Sequence, residues 1–96
     1  MKKIKVGILG YGTVGSGTHE ILTKNHDLIQ KRTGVSVEVV RILRRKPSDS
    51  HLFTDDPDVI LNDPDIDLIV EVIGGIEPAA SFMLTAMKNG KHVVTA

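Results

Sequence analysis

Apolar positions along this chain follow two patterns that alternate. Four short apolar runs, rich in β-branched residues, predict buried strands. These runs are residues 4–9, 35–43, 67–73 and 92–95. Between them, segments whose apolar positions recur every three or four residues predict helices. The helical segments are residues 14–24, a piece between Asn25 and Gly34, residues 57–61 and residues 78–89.

The order of these elements predicts an α/β fold of the Rossmann type, with a mostly parallel sheet and helices on both faces. We expect residues 35–43 to form a central strand. The first helix is expected to place Val14, Thr18, Ile21 and Leu22 on one inward face. The 96 residues suit a single domain, 1–96. No helix follows the last strand, so the pattern is that of a truncated domain. A complete small domain that ends on an edge strand is the alternative.

A glycine-rich turn joins the first strand to the first helix. Its sequence is GYGTVG, residues 10–15. Between a strand and a helix, this G-x-G-x-x-G spacing predicts a turn that holds the pyrophosphate of a dinucleotide. Gly10 permits the tight turn, Gly12 leaves room for the pyrophosphate, and Gly15 lets the helix pack closely on the strand. Thr13 can cap the helix or reach a phosphate oxygen, and a turn without a ligand is the alternative.

Basic residues follow the second strand, where NAD-preferring folds place an acid for the ribose 2′-hydroxyl. No Asp or Glu lies between Val39 and Pro47, and the strand runs into Arg44, Arg45 and Lys46. A guanidinium pairs with a 2′-phosphate, whereas a carboxylate repels it. We therefore predict that NADP is the preferred cofactor and that NAD is possible. Arg44 is the first candidate to bind the 2′-phosphate, and Arg45 is the second. A solvated basic loop is the alternative.

A second glycine pair closes the third strand. Ligands of open parallel sheets bind beyond the carboxyl ends of the strands, so Gly74 and Gly75 are expected near the nicotinamide ribose. An ordinary turn between strand and helix is the alternative. Glu71 is an acid inside this apolar strand, and it is either structural or aimed at a polar site.

Composition excludes several classes of function. Lys and Arg number 12, as do Asp and Glu, so the formal net charge is zero and a nucleic-acid partner is not expected. No segment approaches the about 20 apolar residues of a membrane helix, so no membrane partner is expected. The chain has no cysteine, which excludes disulfides and is compatible with the cytoplasm. The four histidines lack metal-ligand spacing, and no metal site is predicted.

Three blocks of the sequence together resemble the N-terminal NAD(P)-binding domain of homoserine dehydrogenase. They are "GILGYGTVGSGT" at residues 7–18, "EVIGGIEPA" at residues 71–79 and "MKNGKHVVTA" at residues 87–96. The first block is common to Rossmann enzymes, whereas the other two are far more specific. The resemblance implies an oxidoreductase that interconverts L-aspartate semialdehyde and L-homoserine with NAD(P)H. This reaction is a step toward threonine, methionine and isoleucine.

The resemblance also implies which residues touch the cofactor. The matching positions are Gly10, Gly12, Thr13, Val14 and Gly15 for the pyrophosphate, Gly74 and Gly75 near the nicotinamide ribose, and Thr95 and Ala96 at the start of a stretch that lines the cofactor. The family's catalytic lysine, its substrate-binding region and its dimerisation region would all come after Ala96. The resemblance thus implies a cofactor-binding fragment that is inactive alone and belongs to a homo-oligomeric enzyme.

Two other functions remain open on the residues alone. One is a stand-alone module that binds or senses NAD(P) without turnover. The other is the N-terminal domain of a different NAD(P)-dependent oxidoreductase, against which the "GGIEPA" block argues.

Overall fold

The computed structural model describes residues 2–46 and 50–95. Its elements in chain order are β1 (Lys2–Leu9), α1 (Thr13–Lys24), α2 (His26–Thr33), β2 (Val35–Leu43), β3 (Phe53–Thr54), α3 (Pro57–Leu61), β4 (Leu68–Glu71), α4 (Ala79–Lys88) and β5 (His92–Thr95). Every predicted element is present. The structure adds β3, which the sequence pattern did not predict because two residues show no periodicity.

The five strands form one sheet in the order β3-β2-β1-β4-β5, and every neighbouring pair is parallel. The predicted α/β fold is therefore confirmed, and the sheet is entirely parallel. β1 is the middle strand of the five, and β2, the predicted central strand, lies between β1 and β3. β3 pairs with only the last two residues of β2, Ile42 and Leu43. The chain moves outward from β1 to β3, then crosses to β4 on the other side of β1 and ends on β5 at the edge.

Helices cover both faces of the sheet. On one face, Leu9 of β1 packs with residues of α3 and α4. The buried cluster on this face is Leu9, Ile60, Leu61, Ile66, Ile69 and Ala86. The opposite face carries a second cluster with Ile8 and Ile42 at its centre and Val72 at its margin. Helix α1 reaches this second face where Gly15 lies against Val72.

The inward face of α1 agrees with the prediction at Leu22 and differs from it at Val14 and Ile21. Val14 is 55% exposed and Ile21 is 60% exposed, so these two apolar side chains face outward. Gly15 is buried and Leu22, seven residues later, is half-buried. Two positions seven residues apart share one stripe of a helix. The approach of Gly15 to the sheet therefore turns the stripe of Gly15 and Leu22 inward and the stripe of Val14 and Ile21 outward. None of the described helices is long and apolar enough to cross a membrane.

Candidate functional site

The carboxyl ends of the strands meet at a groove of about 540 Å³. The groove lies where the strand order reverses between β1 and β4, which is the usual ligand position in open parallel sheets. Residues that directly follow four of the five strands line most of it. The lining residues are Gly10, Tyr11, Gly12, Leu43, Arg44, Arg45, Asp55, Pro57, Val72, Ile73, Pro78 and Phe82.

The glycine turn between β1 and α1 is built on two close approaches. Gly10 has φ +108°, a backbone conformation that is strained for any residue with a side chain. Its N–H donates to the Leu43 carbonyl at 3.1 Å. A Cβ on Gly15 would lie 2.3 Å from the Gly10 carbonyl oxygen. Glycine at position 15 is therefore needed for α1 to start directly behind the turn.

The N-terminus of α1 opens onto the same groove without a cap. Gly12 is the N-cap residue and offers no side chain, and the first turn contains no acidic residue. Thr13 is the first helical residue rather than the cap, so the capping interpretation of Thr13 is wrong. A Cβ on Gly12 would meet nothing within 4 Å, so the space above this glycine is open. Unpaired N–H groups and the helix dipole make such a terminus suited to an anion.

Two arginines line the groove beside the glycine turn. Arg44 and Arg45 follow β2 and are both exposed. The backbone N–H of Arg44 donates to the Thr54 carbonyl at 2.8 Å, which fixes the arginine beside β3. Its guanidinium carbon lies 5.1 Å from the centre of the Phe53 ring and 5.5 Å from that of Tyr11. Arg44 is therefore both anchored through its backbone and stacked through its side chain.

The structure adds groove residues to which sequence reasoning gave no role. Asp55 directly follows β3 and lines the groove. Tyr11 stands inside the glycine fingerprint, where its ring now faces Arg44. Phe82 of α4 also lines the groove. The unpredicted strand β3 brings Asp55 to the groove, so no signal in the sequence could have placed it there.

Glu71 at the end of β4 is buried, with 3% of its surface exposed. Its Oε2 accepts hydrogen bonds from the N–H groups of Ile73 at 2.6 Å and Gly74 at 3.3 Å. Its Oε1 accepts a hydrogen bond from the Thr95 hydroxyl at 2.7 Å. The carboxylate thereby ties the loop after β4 to the end of β5. Of the two predicted roles, the structural one accounts for all three contacts.

The second glycine pair follows Ile73 and lies just outside the groove lining. Gly74 has φ +83° and Gly75 has φ +74°, so both positions require the freedom of glycine. A Cβ on either would meet nothing within 4 Å. The loop returns to the groove at Pro78, which follows a cis peptide bond.

The predicted cofactor residues are thus gathered at one edge of the sheet to different degrees. Gly10, Gly12, Arg44 and Arg45 line the groove itself. Thr13, Val14 and Gly15 form the first turn of α1 directly behind Gly12. Thr95 is joined to the loop through Glu71. Ala96 lies outside the described residues.

The sheet order, the reversal beside β1 and the glycine turn define a Rossmann-type nucleotide-binding domain. The family model described as homoserine dehydrogenase, NAD binding domain, matches residues 10–96. The chain belongs to this family of homoserine dehydrogenase NAD-binding domains, as its three sequence blocks predicted. The ligand class of such a domain is a nicotinamide dinucleotide.

Named relatives agree with this assignment. The chain is 45% identical to the homoserine dehydrogenases of Methylobacillus glycogenes and Pseudomonas aeruginosa over its whole length, which is 25% and 23% of theirs. A crystal structure of S. aureus homoserine dehydrogenase at pH 7.0 matches all of this chain with a TM-score of 0.93 and 43% identity, over 26% of its own length. The chain spans about a quarter of the length of the relatives it matches.

Proposed function

We propose that this chain is the cofactor-binding part of a homoserine dehydrogenase. The observation that carries the proposal is the groove at the carboxyl edge, which is lined both by Gly12 at the uncapped N-terminus of α1 and by Arg44 and Arg45. In the whole protein, the reaction would interconvert L-aspartate semialdehyde and L-homoserine, a step toward threonine, methionine and isoleucine. The cysteine-free sequence supports the cytoplasm as its location.

The glycine turn fits the pyrophosphate of a dinucleotide. Gly12 leaves open space where a methyl group would otherwise stand. The first turn of α1, with Thr13, Val14 and Gly15, supplies backbone N–H groups and no competing acid. Gly10 holds the turn against β2 through its bond to Leu43. These residues would therefore bind the two phosphates chiefly through the backbone.

The two arginines of the groove support NADP as the preferred cofactor. Arg44 and Arg45 present two guanidinium groups where the fold places the adenosine ribose, and a 2′-phosphate would gain charge-assisted hydrogen bonds from them. Asp55 lines the same groove, and its carboxylate would repel that phosphate but accept a hydrogen bond from a ribose 2′-hydroxyl. The arginines therefore favour NADP, while Asp55 would allow NAD to bind as well.

The loop after β4 supports a role at the nicotinamide end. Glu71 joins Gly74 to Thr95 through its hydrogen bonds to the loop and to β5, and Gly75 follows Gly74 in that loop. We assign these residues, with Ala96 after them, to the nicotinamide ribose and its surroundings. A bound nicotinamide cofactor supplies or accepts the hydride. This chain's own residues bind and orient it, while the substrate, proton-transfer and oligomer contacts would come from the rest of a longer, homo-oligomeric enzyme.

The proposal is tested in two ways. Calorimetric titration of the chain with NADPH and NADH measures cofactor binding. An activity assay of the protein that carries this chain measures its turnover of L-homoserine. We expect both cofactors to bind, with NADPH the tighter. Arg44→Gln should weaken NADPH binding by about tenfold or more, since a charge-assisted bond contributes about 1.5–3 kcal/mol. Arg32→Gln is the matched control, because Arg32 is an exposed arginine in the last turn of α2 and precedes β2, whereas Arg44 follows β2. If Arg44→Gln weakens NADH as much as NADPH, the assignment of the 2′-phosphate is wrong.

A further inference from the structure

Arg44 is stacked against two aromatic rings that also contact each other. Its guanidinium carbon lies 5.1 Å from the Phe53 ring centre and 5.5 Å from the Tyr11 ring centre. The two rings meet edge to face with centres 5.0 Å apart. We call Tyr11 and Phe53 the aromatic pair. Arginine at such distances from ring faces is held by cation–π attraction.

The aromatic pair is itself fixed to the fold on two sides. Phe53 belongs to β3 and is half-buried against the cluster around Ile42. Tyr11 follows Gly10 in the glycine turn, and its hydroxyl is 3.3 Å from Nδ1 of His19 on α1. Neither ring can therefore move without disturbing β3 or α1, and a side chain stacked on both of them has a fixed direction.

Stacking leaves the donor groups of Arg44 available. Within residues 2–46 and 50–95, the Arg44 side chain forms no hydrogen bond and no ion pair. A guanidinium stacked on a ring keeps its in-plane N–H groups free for a planar, bidentate acceptor. The side chain is exposed, so without the rings it would sample many rotamers.

We propose that Phe53 is a positioning residue for cofactor selectivity, which acts only by orienting Arg44 toward a 2′-phosphate. This inference rests on the proposed function, in which Arg44 binds that phosphate. Phe53 is not among the residues that line the groove, and its contact there is with Arg44. Because the ring removes rotamer freedom before binding, it lowers the entropy that Arg44 loses when the phosphate arrives.

The ratio of the NADH to the NADPH dissociation constant measures this role. The two cofactors differ only in the 2′-phosphate, so a general loosening of the fold changes both constants alike and leaves their ratio unchanged. Phe53→Leu, measured in the protein that carries this chain, should weaken NADPH by about two- to five-fold, the value of one exposed cation–π contact, with NADH unchanged. Phe53→Tyr keeps an aromatic face and should retain the wild-type ratio.

A double variant tests whether Phe53 acts through Arg44. The ratio for Phe53→Leu combined with Arg44→Gln should equal that for Arg44→Gln alone, because the ring then has no guanidinium to orient. Ile66→Val is the control for lost stability, since Ile66 is buried before β4, at the far end of the sheet from the groove. It should lower the melting temperature without changing the ratio.

The outcomes separate the inference from the proposed function. If Arg44→Gln lowers the ratio and Phe53→Leu does not, the positioning role is overturned while the 2′-phosphate contact stands. If the effects of Phe53→Leu and Arg44→Gln add in the double variant, Phe53 acts elsewhere and the inference also fails. If Arg44→Gln itself leaves the ratio unchanged, the proposed contact fails and the positioning role with it.

Discussion

Gly15 offers the sharpest test of how the glycine turn is built. Gly15→Ala would place a methyl carbon 2.3 Å from the Gly10 carbonyl oxygen and 3.2 Å from a Val72 methyl. Ordinary contacts begin at 3.4 Å, so α1 must withdraw by about 1 Å or the turn must open. The closest atom, the Gly10 carbonyl oxygen, belongs to the backbone. It therefore cannot move away from the new methyl group as the end of a flexible side chain can.

The expected cost follows from two opposed effects. Overpacking of a close contact costs about 1–3 kcal/mol, whereas replacing glycine by alanine within a helix gains about 1 kcal/mol. Because a backbone atom is struck, we expect a cost at the upper end of that range and a net loss of about 1–2 kcal/mol in the free energy of unfolding. For a domain of this size, that loss lowers the melting temperature by roughly 5–15 °C.

Thermal unfolding followed by circular dichroism measures the effect, and α1 itself supplies the control. A Cβ on Gly17 would meet nothing within 4 Å, so Gly17→Ala gains helix propensity at no steric cost. Gly17→Ala should raise the melting temperature while Gly15→Ala lowers it. If both substitutions raise it alike, Gly15 is not needed for close packing, and our account of the turn is refuted.

Two further predictions concern the loops around the groove. Glu71→Leu leaves the N–H groups of Ile73 and Gly74 without their acceptor and should cost about 1–3 kcal/mol for each, as measured by urea unfolding. Glu71→Gln should cost less because its amide oxygen can still accept, and equal midpoints for the two variants would contradict this reasoning. Asp56→Ala removes the cap of α3, in which the carboxylate accepts from the Asp58 N–H at 3.0 Å, and should cost about 1 kcal/mol in thermal unfolding. An unchanged melting temperature would show that this cap contributes nothing.

The sequence was sufficient to predict the fold and the glycine turn because both depend on local patterns. Apolar runs of several residues predict strands, and the spacing of Gly10, Gly12 and Gly15 needs only the strand before it and the helix after it. The edge strand β3 escaped prediction because two residues, Phe53 and Thr54, show no period. Its position depends on pairing with β2, which is a tertiary interaction.

The remaining site residues could not be predicted for the same reason. Asp55 reaches the groove only because β3 joins the sheet next to β2. Val14 and Ile21 were expected to face inward because they are apolar, yet the close approach of Gly15 turns their stripe outward. The contact of a glycine with the backbone therefore decides the rotation of α1, and hydrophobicity alone does not report it.

The central claim is that the glycine turn holds the pyrophosphate of a nicotinamide dinucleotide. It is tested most directly by titrating NADPH into the wild-type chain and into Gly12→Ala. Gly12 has φ −80°, which any residue adopts, and its added methyl would enter open space above the turn rather than strike the protein. We predict a melting temperature within about 5 °C of the wild type and an affinity for NADPH lowered by about tenfold or more. A folded Gly12→Ala chain that binds NADPH as tightly as the wild type would contradict the claim.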